Sequence, residues 1–252
     1  MSYPTGSDLN SKSLVPPLGA RQAPDIGPVA VLVSTEPDVR TMGSLVEKVR
    51  QGPFFMGRLF KTEKGVTIAG PYIGAPYAVM LLESLVAKGA RQIIVLGWCG
   101  ALTRDLAIGD LILPDRAICD EGTSGNYQAL DPDLGITFPD RTLSEKLAGY
   151  LSVNAMEAGQ RPVWTTDAIY RETPEKVAWF TKRGAAAVDM ECSALFAAAR
   201  YRKVRLTSLL VVSDSLASKD WDPGFRKKRF KEARKQACKA VLSFAHGLGE
   251  DR

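Results

Sequence analysis

Short, wholly apolar runs alternate along the chain with longer stretches that are apolar on one side only. Pro28 to Thr35 (PVAVLVST) and Gly65 to Gly70 (GVTIAG) are β-branched runs closed by turn residues, the pattern of strands buried on both faces. Tyr77 to Ala90 (YAVMLLESLVAKGA) carries an apolar stripe at helical spacing, with Gly89 as its stop, and leads into the strand RQIIVLG. That strand is expected to end at the GWCG turn, Gly97 to Gly100. Strand, helix, strand is the unit of a mostly parallel sheet, and ligands of such sheets gather at the C-terminal ends of strands. Downstream, DLILPDRAICDEGTS predicts a strand pair, RTLSEKLAGYLSVNAMEAG a helix and PVWTTDAIY a strand with its exit loop. DMECSALFAAARYRK predicts a closely packed helix, and RLTSLLVVSDS a last buried strand ending in Ser213 and Asp214. In FRKKRFKEARKQACKAV, Phe230, Ala233, Ala237, Ala240 and Val241 recur at helical spacing, so the many charges read as the wet face of a C-terminal helix.

Composition narrows the picture. At 252 residues, 45% hydrophobic and 24% charged, the chain suits one large α/β domain and excludes a fibre or general disorder. Residues 1–27, rich in Pro, Gly and Ser, lack periodicity and predict a flexible arm or one draped over a neighbour, leaving 28–252 as a single domain. Without a membrane-length apolar run or a secretory signal pattern, the chain reads as soluble and cytoplasmic, with no membrane partner. The scattered cysteines (Cys99, Cys119, Cys192, Cys238) argue against a disulfide framework and a zinc site. The single histidine, His246, reads as a surface residue at a helix end, which removes His-based triads and metal sites. A net charge of +5 is modest, and because its basic cluster has helical spacing, nucleic acid is not the expected partner; a binder acting through residues 226–235 stays as a third alternative.

Three polar clusters stand at strand or loop ends: Thr35, Glu36 and Asp38; Asp189 and Glu191; Ser213 and Asp214. An acid closing a run such as LLVV must be hydrogen-bonded or hold its proton, since an ionised carboxylate left alone among apolar groups is strongly disfavoured. Plainer roles exist for each. Asp214 can cap a following helix, Glu191 can favour a helix dipole, and Tyr170 in DAIYRET can be packing.

Together these segments resemble the nucleoside phosphorylase superfamily, which contains purine nucleoside phosphorylase, uridine phosphorylase and related nucleosidases. GPYIGAPYAVMLLESL is similar to its glycine-rich turn and helix, IIVLGWCGAL to its strand and G-[ST]-[CAT]-G loop, and AIGDLILPDRAICDEGTS to its GD-strand segment. VDMECSAL resembles the V-x-M-E-[ACST] signature, and VVSDS the purine-cleaving branch, which has an Asp here. The resemblance implies a three-layer α/β/α sandwich with a central mixed, mostly parallel sheet, and cleavage of the N-glycosidic bond of a purine-type nucleoside. It implies that Asp214 assists the leaving base, that Glu191 binds ribose with Met190 packed on the sugar, and that Cys99, Gly100 and Tyr170 lie beside the base. It also implies a homo-oligomer, dimer-based and up to a hexamer, and no cofactor, with inorganic phosphate as a co-substrate.

The chain departs from the family around phosphate. STEPDV replaces a GDPxR loop, Val95 stands where a strand Arg falls, and Trp98 replaces Ser or Thr. Losing two arginines removes charge-assisted bonds worth roughly 1.5 to 3 kcal/mol each. Arg50, which resembles an arginine lent by a neighbouring subunit in some relatives, and the nearby Arg40 keep phosphorolysis open, and the resemblance implies that Arg226 or Lys227, at a comparable distance after the Asp, helps close the site. Trp98 is expected to fill the phosphate space, to stack on an unusual substrate, or to pack under a loop with its N–H on a carbonyl. The alternatives are a hydrolytic nucleosidase in which Asp38 activates water, and a nucleoside-binding protein without turnover.

Overall fold

The computed structural model describes residues 8–218 and 220–250, so the first seven residues of the expected arm lie outside the described residues. Along the chain run β1 (Val29–Val33), α1 (Glu36–Ser44), β2 (Lys48–Phe54), β3 (Gly57–Thr62), β4 (Thr67–Gly70), α2 (Ala75–Lys88), β5 (Gln92–Ala101), β6 (Leu111–Asp120) and β7 (Ile136–Thr137). They are followed by α3 (Arg141–Val153), β8 (Ala158–Thr166), α4 (Pro174–Lys182), β9 (Ala187–Asp189), α5 (Cys192–Tyr201), β10 (Arg205–Ser215), β11 (Asp222–Pro223) and α6 (Lys228–Glu250).

Strand alternation sorts the core into two layers. Ala30 and Leu32 of β1, Ile93, Val95 and Cys99 of β5, and Leu206, Leu210 and Val212 of β10 face α2 and α5. The intervening Val29, Val31, Val33, Ile94, Leu96, Leu209 and Val211 face α1, α3 and α6. Helices on both faces of one mixed sheet make the expected three layers. The sheet is parallel through β4, β1, β5 and β10 and again through β6, β8 and β9. Antiparallel pairing enters at the β2–β3–β4 meander and at the β10–β6 and β5–β9 seams. Because β10 also pairs with β5, the strands β5, β10, β6, β8 and β9 close into a ring beside the open part of the sheet.

Several expectations change. The strand RQIIVLG does not stop at Gly97; β5 continues through GWCGA to Ala101, because β10 pairs alongside it as far as Ser215. DLILPDRAICDEGTS holds one strand rather than two, β6, with a register shift against β8 between Pro114 and Ala117. STEPDV turns straight into α1, with Pro37 in its first turn. His246 is half-buried on α6, its Nε2 3.4 Å from Thr62 Oγ1, rather than a free surface group. Of the N-terminal segment, residues 8–27 form turns laid on α2: the Asp25 and Ile26 amides donate to the Lys88 carbonyl, and the Asp25 carboxylate meets Lys88 Nζ at 3.2 Å.

Candidate active site

At the C-terminal ends of β1, β5, β9 and β10 lies a cavity of about 910 Å³. Trp98, Cys99, Gly100, Tyr170, Met190, Glu191 and Asp214, all expected site residues, line it together.

Asp214 owes its aim to a β-bulge. Val212 pairs with Cys99 and Asp214 with Gly100, so Ser213 is the extra residue, and the insertion turns the side chain that strict alternation would bury among apolar neighbours. A Cβ at Gly100 would stand 3.2 Å from Asp214 Oδ2, so the glycine is what lets the carboxyl lie across β5. Trp221 Nε1 donates to Oδ2 at 2.8 Å, and Ser213 Oγ lies 2.6 Å from Oδ1 and 3.2 Å from the Cys99 carbonyl.

Glu191 is delivered by the short strand β9. Asp189 at its end is buried and accepts from Thr165 Oγ1 at 2.6 Å and from the Glu191 and Cys192 amides at 3.1 and 2.7 Å. Asp189 therefore caps α5 and fixes the turn that presents Met190 and Glu191 to the cavity. Glu191 Oε1 accepts from the Gly74 amide at 2.6 Å at the start of α2, where Gly74 has φ +81°, a left-handed conformation that favours glycine. Burial first, and then the charge of Asp189, push Glu191 up to about 8, against the pull of the Gly74 amide. Burial likewise raises the Cys99 thiol, so this wall offers a neutral sulfur rather than a thiolate.

Trp98 borders the cavity and also packs edge-on against Phe230 of α6, with ring centroids 4.9 Å apart. Its N–H meets a carboxylate, not a carbonyl: Nε1 donates to Asp38 Oδ2 at 2.7 Å. Asp38 is fully buried and saturated, with Thr35 Oγ1 at 2.9 Å on the same oxygen and an Arg234 ion pair on the other, where Cys238 Sγ also approaches at 3.5 Å. It lies behind Trp98 rather than in the cavity wall, so the water-activating role expected of Asp38 does not fit its position. Glu36 is the acid of this segment that reaches the cavity, and its Oε1 takes both Arg40 Nε (2.7 Å) and Arg58 (2.6 Å). These arginines hold its carboxyl below the usual range.

Two more expected residues stand apart from this chain's cavity. Arg50 is on the exposed β2, paired with Asp25 at 3.0 Å, and Arg226 is exposed before α6. Arg234, from the same basic stretch, instead turns inward to Asp38. The sequence reading missed Tyr72, Tyr77, Met56, Glu172, Trp221 and Phe225, which also line the cavity. A tryptophan set between acids in KDWDPG, just beyond VVSDS, was the available sign for Trp221; Glu172 had only its place two residues after Tyr170.

Comparison with known proteins adds the following. Residues 28–246 match the family model described as Phosphorylase superfamily. A guanosine phosphorylase of Halorubrum lacusprofundi is 30% identical over 153 residues, 61% of this chain and 62% of that protein. The chain thus spans about three-fifths of that relative's length. Purine nucleoside phosphorylase from Toxoplasma gondii, solved with immucillin-H, superposes with a TM-score of 0.81 at 21% identity, covering 96% of this chain and 99% of that one. The 5′-methylthioadenosine/S-adenosyl homocysteine nucleosidase of Campylobacter jejuni gives 0.74 at 17% identity, covering 87% and 98%. At these identities the two solved structures speak for the fold.

Proposed function

Because the chain belongs to the phosphorylase superfamily, we propose that it cleaves the N-glycosidic bond of a purine-type nucleoside, Asp214 assisting the departing base and Glu191 holding the ribose. The observation that carries this reading is that the two carboxyl groups, from strands and turns far apart in sequence, line one cavity. As the bond breaks, positive charge grows on the ribose and negative charge on the base, so an acid beside the base and an acid beside the sugar each meet a need of the transition state. With one oxygen bound to Gly74, Glu191 has its other oxygen for the sugar hydroxyls, while Met190 supplies an apolar surface under the ring. Tyr170, 96% exposed, and the neighbouring Ile169 offer faces for the base, and Cys99 and Gly100 line the same cavity.

An oxygen nucleophile completes the reaction, and no further cofactor is called for. The cavity walls carry Glu36, Glu172, Asp189, Glu191 and Asp214 and, among the described residues, no Lys, Arg or His. The two arginines that meet it through Glu36 are both bound to one oxygen of that carboxylate. A dianion finds no cation on these walls to pair with, whereas water needs none, which favours hydrolysis. Phosphorolysis, the reaction in the name of the guanosine phosphorylase relative, requires Arg50 to reach in from a neighbouring subunit of a dimer-based homo-oligomer. Arg226 would close the site only by movement of the segment before α6.

A nucleoside panel read by base release, with and without phosphate, tests the reading. Release of a purine base is expected, and Asp214→Asn is expected to lower it by roughly 10²- to 10⁴-fold. Binding without release for every nucleoside would leave a carrier instead of an enzyme. Light scattering on the same preparations is expected at a multiple of 27.3 kDa.

A further inference from the structure

Glu172 follows the single helical turn Ile169–Arg171 and lines the cavity with Asp214. Its carboxyl makes no hydrogen bond or ion pair among the described residues, whereas both oxygens of Asp214 have partners. The cation whose charge acts on it, Lys176 of α4, is committed to Asp120, 2.8 Å from Nζ. Tyr170 precedes it on its own loop, and Asp214 of β10 lines the same cavity, near enough for its charge to act on Glu172. Two carboxyl groups that sense each other's charge in one partly enclosed cavity resist being ionised together, so near neutrality such a pair retains a proton. Trp221 and Ser213 already engage both oxygens of Asp214, whereas the Glu172 carboxyl is free to carry the proton and give it up. Burial, and then the charge of Asp214, push Glu172 up to about 7, with Lys176 opposing.

We propose that Glu172 is a second acid of this site, holding the proton that the departing base takes up while Asp214 orients the base. The inference rests on the glycosidic-cleavage reading. In the step, the bond between the anomeric carbon and the base nitrogen breaks and its electron pair goes to the base. The Glu172 O–H proton passes to a ring nitrogen, and water or phosphate forms the new carbon–oxygen bond. Glu172 is then reprotonated by solvent, or by the proton that attacking water gives up.

The test is base release by wild type and Glu172→Gln from pH 5 to 9, with a purine nucleoside and with a nitrophenyl riboside, whose leaving group needs no proton. Wild type is expected to lose activity on the purine nucleoside as pH rises through about 7. Glu172→Gln is expected to lower kcat about 100-fold on the purine nucleoside, to change KM little, and to lose that falling limb. Its rate on the nitrophenyl riboside should stay within about threefold, which also reports a folded variant, and Glu172→Asp should restore part of the purine activity. Equal losses on both substrates, or a wild-type purine profile in Glu172→Gln, would overturn the proposal while leaving the cleavage reading standing. A wild type that cleaves no nucleoside removes both.

Discussion

Trp98 sits between two glycines because side chains of β10 and of the residue just after it leave no room on either side. A Cβ at Gly97 would come within 3.0 Å of Leu210 Cδ2, and one at Gly100 within 2.8 Å of Leu216 Cδ1. The indole in turn donates to Asp38 on α1, whose charge is matched by Arg234 from α6. Arg234→Met strands a buried carboxylate and is expected to cost roughly 3 to 5 kcal/mol. Denaturant midpoints would report it, and adding Asp38→Asn should recover most of the loss. At this scale the sequence was informative where the chemistry is local. VVSDS and VDMEC each carry their acid in a short segment with an apolar strand before it, and both acids reach the cavity. Asp38 was misassigned because its partner lies 196 positions away, a pairing no local pattern discloses.

Elements follow the same logic. β1, β4, β5 and β10 were readable because burial on both faces leaves an uninterrupted apolar run, and α2 because its stripe ends at Gly89. The β2–β3 hairpin was not, since KVRQGPF is exposed along most of its length and carries no alternation. The true end of β5 was hidden for a related reason: glycine reads as a terminator locally, yet here it admits side chains of a neighbouring strand. Gly100→Ala tests that role. Its new methyl would meet Leu216, Asp214 and Val188 at 2.8, 3.2 and 3.3 Å. Crowding of this kind costs about 1 to 3 kcal/mol of stability. A carboxyl displaced by even a fraction of an ångström should lower kcat by roughly 10- to 100-fold, with KM less affected.

For the molecule as a whole, α/β layering was readable from the order of runs, but closure of five strands into a ring was not, because the β5–β10 and β5–β9 contacts join segments about 90 to 110 residues apart. That closure is what brings Asp214, Glu191 and Gly100 to one place. It also buries acid, and the fold should register this as pH dependence. An unfolded glutamate titrates near 4.5, whereas Glu191 titrates at about 8 and Glu172 at about 7 in the folded chain. Between those limits the native state keeps protons that the unfolded state releases, so stability is full at pH 4.5 and below as far as these groups are concerned, and falls as pH rises through 7 and 8. Melting temperature is expected to drop from pH 5 to pH 9, and Glu191→Gln to flatten the slope, the difference being on the order of a few kcal/mol.

The indole that donates to Asp214 has an optical consequence. Of the chain's four tryptophans, Trp98 and Trp221 border the cavity, whereas Trp164 is stacked on Phe180 in the interior and Trp179 lies beneath the Arg183 guanidinium. A nucleoside bound as proposed would strip solvent from the first two and leave the others in unchanged surroundings. Intrinsic emission is therefore expected to follow occupancy, a built-in gauge of the cavity's filling that needs no label.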